Sequence, residues 1–342
     1  MKKDGLWAYI TEFKKHLPES IDMRVFITGI SGQLGHDCIN EVILRGGDAI
    51  GSDLTVAYNG ISDESAATTV SYIQLDITDK KAVMDTIKKV RPDVIIHCAA
   101  WTAVDAAEDE KNRQRVDEIN HLGTQYIAEA AKSVDAKMVY ISTDYVFNGQ
   151  GDQPWQPDDK NYAPLNVYGS SKLAGELTVS NLLTKYFIVR RAWVFGTNGK
   201  NFIKTMLKVG KTHDSVRVVN DQIGTPTYTQ DLSRLLVDMI ETEKYGYYHA
   251  TNSEVTPGAF ISWYDFTKEI YRQAGLSTAV IPVTTSEYGL NKAARPFNSR
   301  LDKNKLIQAG FVPLPDWKDA LNRYLKEIGE LKKEGGLNYG PD

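Results

Sequence analysis

Tyr168-Gly169-Ser170-Ser171-Lys172 sets a phenol and an amine four residues apart. On a helix that spacing is roughly 400° of rotation, so both side chains leave nearly the same face. A free phenol titrates near ~10. A neighbouring ammonium favours the phenolate, which makes the tyrosine a usable proton donor at neutral pH. Alone, such a pair is a common accident of sequence. Its weight comes from Ser142-Thr143-Asp144-Tyr145, which closes an apolar run beginning at Met138. Doubly wound sheets bind ligands beyond the carboxyl ends of their strands, so Thr143 is expected to face the same crevice. Its hydroxyl can donate to a carbonyl oxygen while Tyr168 protonates the forming alkoxide; the hydride has to come from a cofactor. Thr143, Tyr168 and Lys172 are the expected catalytic set, with Lys172 also free to hold a cofactor ribose.

The segment Thr28-Gly29-Ile30-Ser31-Gly32-Gln33-Leu34-Gly35 offers that cofactor a place. Gly29 allows a tight turn, Gly32 lets the backbone approach a pyrophosphate, and Gly35 permits close helix–sheet packing. The helix that follows points unpaired N–H groups at phosphate. Gly29, Ser31, Gly32, Gln33, Leu34 and Gly35 are the expected contacts of a nicotinamide dinucleotide. Asp53 closes the second apolar run about 20 residues further on, where a carboxylate can hydrogen-bond a ribose. It would repel a 2′-phosphate, although the side chain can rotate away, so NADPH and NADH both stand as expected cofactors. Asp76, followed by Ile77, is expected at the adenine edge; the rival reading of Asp76 is a cap on the next helix.

The elements that must position these residues alternate. Apolar runs at Val25–Ile27, Ala49–Ser52, Val70–Leu75, Val94–His97, Met138–Ser142 and Phe187–Arg190 are separated by helical stretches at Gln33–Arg45, Lys80–Val90, Val116–Ser133 and Tyr168–Leu183. Near-continuous apolar strands between amphipathic helices predict an α/β fold, a doubly wound parallel sheet covered on both faces. Past about Gly196 the pattern turns irregular, which predicts a smaller, interleaved C-terminal substrate domain. The expected division is a 1–22 appendage with a short amphipathic helix, a 23–195 cofactor domain, a 196–330 substrate domain and a 331–342 tail.

Composition narrows the function classes. Among 342 residues, Lys+Arg 40 against Asp+Glu 44 leaves a formal charge of −4, which gives no sign of a nucleic-acid surface. No apolar run approaches a membrane span. Two cysteines, Cys38 and Cys98, are too few for a disulfide framework or a Cys-rich zinc site. A cytoplasmic setting is expected.

The chain resembles the extended short-chain dehydrogenase/reductases over roughly Arg24 to Tyr324. The likeness rests on the glycine turn, on Ala99-Ala100-Trp101-Thr102-Ala103-Val104-Asp105, on Ser142-Thr143-Asp144-Tyr145-Val146-Phe147 and on Pro164-Leu165-Asn166-Val167-Tyr168-Gly169. It also rests on Trp193-Val194, Asn201-Phe202, Asp221-Gln222-Ile223-Gly224-Thr225-Pro226-Thr227 and Arg295-Pro296-Phe297-Asn298-Ser299-Arg300-Leu301. The resemblance implies a Rossmann-type sheet, a nucleotide-sugar substrate and reduction of a C4 ketone. It implies that Ala99, Ala100 and Thr102 line the cofactor crevice. On the sugar side it implies Thr102, Val104, Thr143, Asp144, Tyr145, Trp193 and Asn201, with Arg295 on the diphosphate. A planar guanidinium suits phosphate oxygens, and a deoxysugar offers an apolar face to an indole. Trp101 departs from the smaller or polar residue common at its position. Some relatives hold magnesium at a dimer interface; no matching carboxylates stand out here, so no metal is expected, and a homodimer stays open.

Two rivals remain at this level. A dehydratase of the same group needs a second carboxylate after Asp144, where this chain has Tyr145. An epimerase, or a non-catalytic regulatory subunit on the same fold, is not excluded by these residues.

Overall fold

The computed structural model describes residues 21–332. The expected N-terminal helix and nearly all of the expected tail lie outside the described residues.

Seven strands form one parallel sheet: β1 (Arg24–Thr28), β2 (Asp48–Asp53), β3 (Ser71–Gln74), β4 (Val94–His97), β5 (Lys137–Thr143), β6 (Tyr186–Arg191) and β7 (Gly246–His249), in the order β7-β6-β5-β4-β1-β2-β3. The order reverses between β1 and β4, which opens a crevice at their carboxyl ends. Val25, Ile27, Val94, Ile96, Val139 and Val189 pack in a core with α1 (Gln33–Leu44) and α5 (Thr229–Ile240). Phe26, Ile95, Met138, Tyr140 and Ile188 pack in a second core with α2 (Lys80–Val90), α3 (Thr124–Ser133) and α4 (Val167–Leu182). Burial on both faces is why these strands read as unbroken apolar runs.

Beyond β6 the chain builds a lobe on the helices Phe202–Gly210, Trp263–Ala274 and Trp317–Glu327 and on the parallel pair Ser215–Val219 and Ala279–Val283. Its core gathers Phe195, Tyr228, Phe266, Trp317 and Tyr324. Between these pieces α5 packs on α1 and β7 pairs with β6, so the later chain returns to the sheet.

One helix differs from expectation. The stretch expected at Val116–Ser133 starts at Glu110 and widens over Glu118–Gly123 into a turn with an extra residue in its hydrogen-bonded ring. Such widened turns aim side chains off the regular helical face. Here the side chain is Asn120, buried, which accepts from Trp101 N at 2.8 Å and donates to Trp101 O at 3.2 Å and Ser171 Oγ at 2.9 Å. It ties the loop after β4 to α4.

Candidate active site

A cavity of about 780 Å³ opens at the carboxyl ends of β1, β2, β4, β5 and β6. Gly29, Ser31, Gly32, Gln33, Leu34, Gly35, Asp53, Asp76, Ile77, Ala99, Ala100 and Thr102 all line it. Gly29 has a φ of +72°, and a Cβ there would lie 2.7 Å from Ala99 N. A Cβ on Gly35 would lie 2.3 Å from Gly29 O. Only glycine lets the turn close this tightly, which leaves the start of α1 bare to the cavity. A bare helix start beneath a cavity of this size fits a dinucleotide pyrophosphate. Asn198 braces the turn from above, donating to Ser31 O at 2.9 Å and accepting from Ile61 N at 2.9 Å.

The two carboxylates on the adenosine side hold backbone as well. Asp53 accepts from Ser31 N at 2.9 Å and Leu54 N at 2.8 Å, so it shapes the glycine turn that it borders. Asp76 accepts from Thr78 N at 2.9 Å and Thr78 Oγ1 at 2.7 Å, and its other oxygen meets Arg115 at 3.4 Å. The cap of α2 is Asp79, which accepts from Ala82 N at 2.9 Å, so the capping role considered for Asp76 belongs three residues on.

Thr143 ends β5 and is buried. Its Oγ1 donates to Asp144 Oδ1 at 2.9 Å, and Ser299 Oγ donates to Asp144 Oδ2 at 2.5 Å. Burial pushes the Asp144 carboxyl up to about 6 against the hydrogen bonds that lower it. Both oxygens of Asp144 are thus engaged within the protein, and its immediate action is on Thr143.

Asn166 caps α4, accepting from Gly169 N at 2.7 Å and donating to Ala294 O at 2.9 Å. The cap fixes the first turn, where Tyr168 lies buried among Trp101, Val104, Val116, Tyr145 and Val167. Tyr145 meets the Tyr168 ring edge-on at 5.6 Å. One turn on, Lys172 is 3% exposed, with Nζ 4.1 Å from the Tyr140 ring centroid. Burial pushes its amine down to about 7, the Arg191 guanidinium adds to that, and Glu176 opposes it. His97 is held neutral by burial, between Thr28 Oγ1 at 2.8 Å and Thr124 Oγ1 at 3.2 Å.

The expected sugar-side residues divide. Val104 packs beside Tyr168. Arg295 donates through Nη2 to Asp105 at 2.5 Å, while its buried Nη1 has no partner. Asp105 also accepts from Lys292 N at 3.0 Å and Ala293 N at 2.9 Å, which pins the segment carrying Arg295 to the loop after β4. Trp193 holds a φ of +51°, strained for a bulky residue, and stacks on Trp263 with centroids 3.9 Å apart. Asn201 is engaged within the protein. It caps the helix Phe202–Gly210, accepting from Lys204 N at 3.0 Å, and donates to Gly196 O and to Tyr324 at 2.9 Å each.

Arg115, Arg191 and Lys200 also line the cavity, and sequence reasoning missed all three. Arg115 sits on the polar helix before Asn120, where nothing marks one basic residue above another. Arg190 and Arg191 are adjacent, and only the strand register separates their roles.

Comparison with known proteins agrees with this architecture. The sequence model of the RmlD substrate binding domain matches residues 23–330. A spore coat polysaccharide biosynthesis protein of Bacillus subtilis, SpsK, is 36% identical over 304 residues, 89% of this chain and 97% of that protein. A dTDP-4-dehydrorhamnose reductase of Shigella flexneri is 36% identical over 318 residues, 90% of this chain and 98% of that protein. A dTDP-4-dehydrorhamnose reductase of Bacillus anthracis, solved in complex with NADP, superposes with a TM-score of 0.79 at 40% identity, over 90% of this chain and all of that one. Matched along nearly its whole described length, the chain belongs to the RmlD substrate binding domain family.

Proposed function

We propose that the protein reduces the C4 ketone of dTDP-4-dehydro-L-rhamnose to dTDP-L-rhamnose with NADPH or NADH. What supports the reading is that Thr143 ends β5 while Tyr168 and Lys172 lie in the first turns of α4, which packs on β5, and that the glycine turn fitted to a dinucleotide opens at the same end of the sheet. When bound, the reduced nicotinamide supplies the hydride. Thr143 turns its hydroxyl from Asp144 to the ketone oxygen and holds it. Tyr168 gives its phenolic proton to that oxygen as it becomes an alcohol. Lys172 as an ammonium supports the phenolate left behind. Arg295 meets the sugar diphosphate with its unpartnered Nη1, and the Trp193–Trp263 stack offers the deoxysugar an apolar wall. Residues 23–195 act as the cofactor half and 196–330 as the sugar half, interleaved where α5 and β7 return to the sheet. The two free thiols accord with a reducing, cytoplasmic setting. No helix among the described residues is long and apolar enough to cross a membrane.

The test is loss of reduced-nicotinamide absorbance on mixing the purified chain, NADPH and dTDP-4-dehydro-L-rhamnose, with other nucleotide ketosugars as controls. One cofactor oxidised per sugar supports the reading. No oxidation with any ketosugar refutes it.

A further inference from the structure

Arg190 and Arg191 end the same strand and live in opposite circumstances. The Arg190 guanidinium is saturated: Glu176 takes it through two oxygens at 2.8 Å each, and Pro157 O and Tyr162 Oη accept at 3.1 Å each. Arg191 lines the cavity, yet its buried Nε has no hydrogen-bond partner. Among the described residues its guanidinium has no hydrogen-bond or ion-pair partner at all. A guanidinium stays charged at any physiological pH, and a buried donor left unmade costs about 1–3 kcal/mol. Such a group in a native fold calls for a partner, and one that also lines a cavity can take it from a bound ligand.

The surroundings show what is missing. Arg191 stands in register with Thr143, across from the β4 end that carries Ala99 and Ala100. Its charge acts on Lys172, which it helps to push down, and on Asp144, which it helps to hold down. Both oxygens of Asp144 are already engaged by Thr143 and Ser299. The place is therefore rich in donors and short of acceptors. With the pyrophosphate over the glycine turn and the adenosine toward Asp53 and Asp76, the nicotinamide half falls on the side of β5 and β6, where Arg191 stands.

We propose that Arg191 is a cofactor-gripping residue, donating to an acceptor oxygen on the nicotinamide half of the dinucleotide. The acceptor is the carboxamide oxygen or the phosphate oxygen on that side; both offer the planar guanidinium a lone pair. The inference rests on the dinucleotide reading above, but not on the identity of the sugar.

The test is equilibrium binding, read without any sugar present, of NADPH, of 2′-phospho-ADP-ribose and of 2′,5′-ADP to wild type, Arg191→Met and Arg191→Lys. Arg191→Met is expected to weaken NADPH binding about 10- to 100-fold, Arg191→Lys by less, and neither to change 2′,5′-ADP binding. Equal weakening of 2′-phospho-ADP-ribose assigns the acceptor as phosphate; unchanged binding of it assigns the carboxamide. The proposal falls if NADPH binding stays within twofold of wild type in Arg191→Met, or if all three ligands weaken together. A wild-type protein that binds none of the three refutes the dinucleotide reading itself. One that binds NADPH through Arg191 but reduces no ketosugar refutes only the proposed reaction.

Discussion

Glu176 and Arg190 form a two-pronged ion pair with neither side chain exposed, Nε to Oε1 and Nη2 to Oε2 both at 2.8 Å. The pair joins α4 to β6 one helical turn beyond Lys172, so it sets the rotation of the helix that presents both Lys172 and Tyr168. Three aromatic rings, those of Phe147, Tyr162 and Tyr247, surround the guanidinium with centroids at 4.9, 5.4 and 4.9 Å.

Breaking that pair from one side strands a buried charge. Glu176→Gln is expected to lower stability by about 3–5 kcal/mol, read from urea unfolding. A loss under about 1 kcal/mol would show that solvent reaches the guanidinium and that the pair does not fix α4.

Tyr168→Phe keeps the ring that Tyr145 meets edge-on and removes only the acid. Turnover is expected to fall about 100- to 10,000-fold, with NADPH affinity within about threefold of wild type. Near-normal turnover would take the proton-donor role from Tyr168.

Lys172 sets function against stability. Its amine, pushed down to about 7 by burial, binds fewer protons in the folded chain than an unfolded lysine does between that pH and 10.5. Its contribution to stability therefore rises with pH across that window. Lys172→Met should abolish turnover and, in the cofactor-free protein, raise the urea midpoint at pH 7 and flatten its rise from pH 7 to 9. A variant less stable than wild type at pH 7 would mean that the amine is well solvated.

Gly35→Ala places a methyl in the interior of a helix, a change that elsewhere stabilises by up to about 1 kcal/mol. Here the new Cβ would lie 2.3 Å from Gly29 O and 2.9 Å from Ile30 Cα. The turn must open, so NADPH binding should weaken at least about 10-fold in a fluorescence titration, with a lower melting temperature. Unchanged binding would mean that the turn does not hold the cofactor.

The sheet was legible in the sequence because each strand is buried on both faces and flanked by an amphipathic helix, a pattern that needs no knowledge of partners. The glycine turn was legible for a similar reason, since the crowding at Gly29 and Gly35 leaves no other residue type. What escaped depends on register and distant contacts. The dipeptide Arg190-Arg191 gives no sign that one arginine is sealed behind Glu176 while its neighbour lines the cavity. The cap that Asn201 forms on the helix Phe202–Gly210 also went unmarked, although asparagine is a favoured residue there. The backbone strain at Trp193 and the widened turn carrying Asn120 arise only once the surrounding pieces are packed.

In the proposed reaction this chain moves a hydride onto a sugar carbon and does not return it. With NADPH deuterated at C4 of the nicotinamide on the transferred face, one deuteron is expected at sugar C4 per product molecule, with an equal amount of oxidised cofactor. Product or epimer free of deuterium, formed without net oxidation of the cofactor, would contradict it.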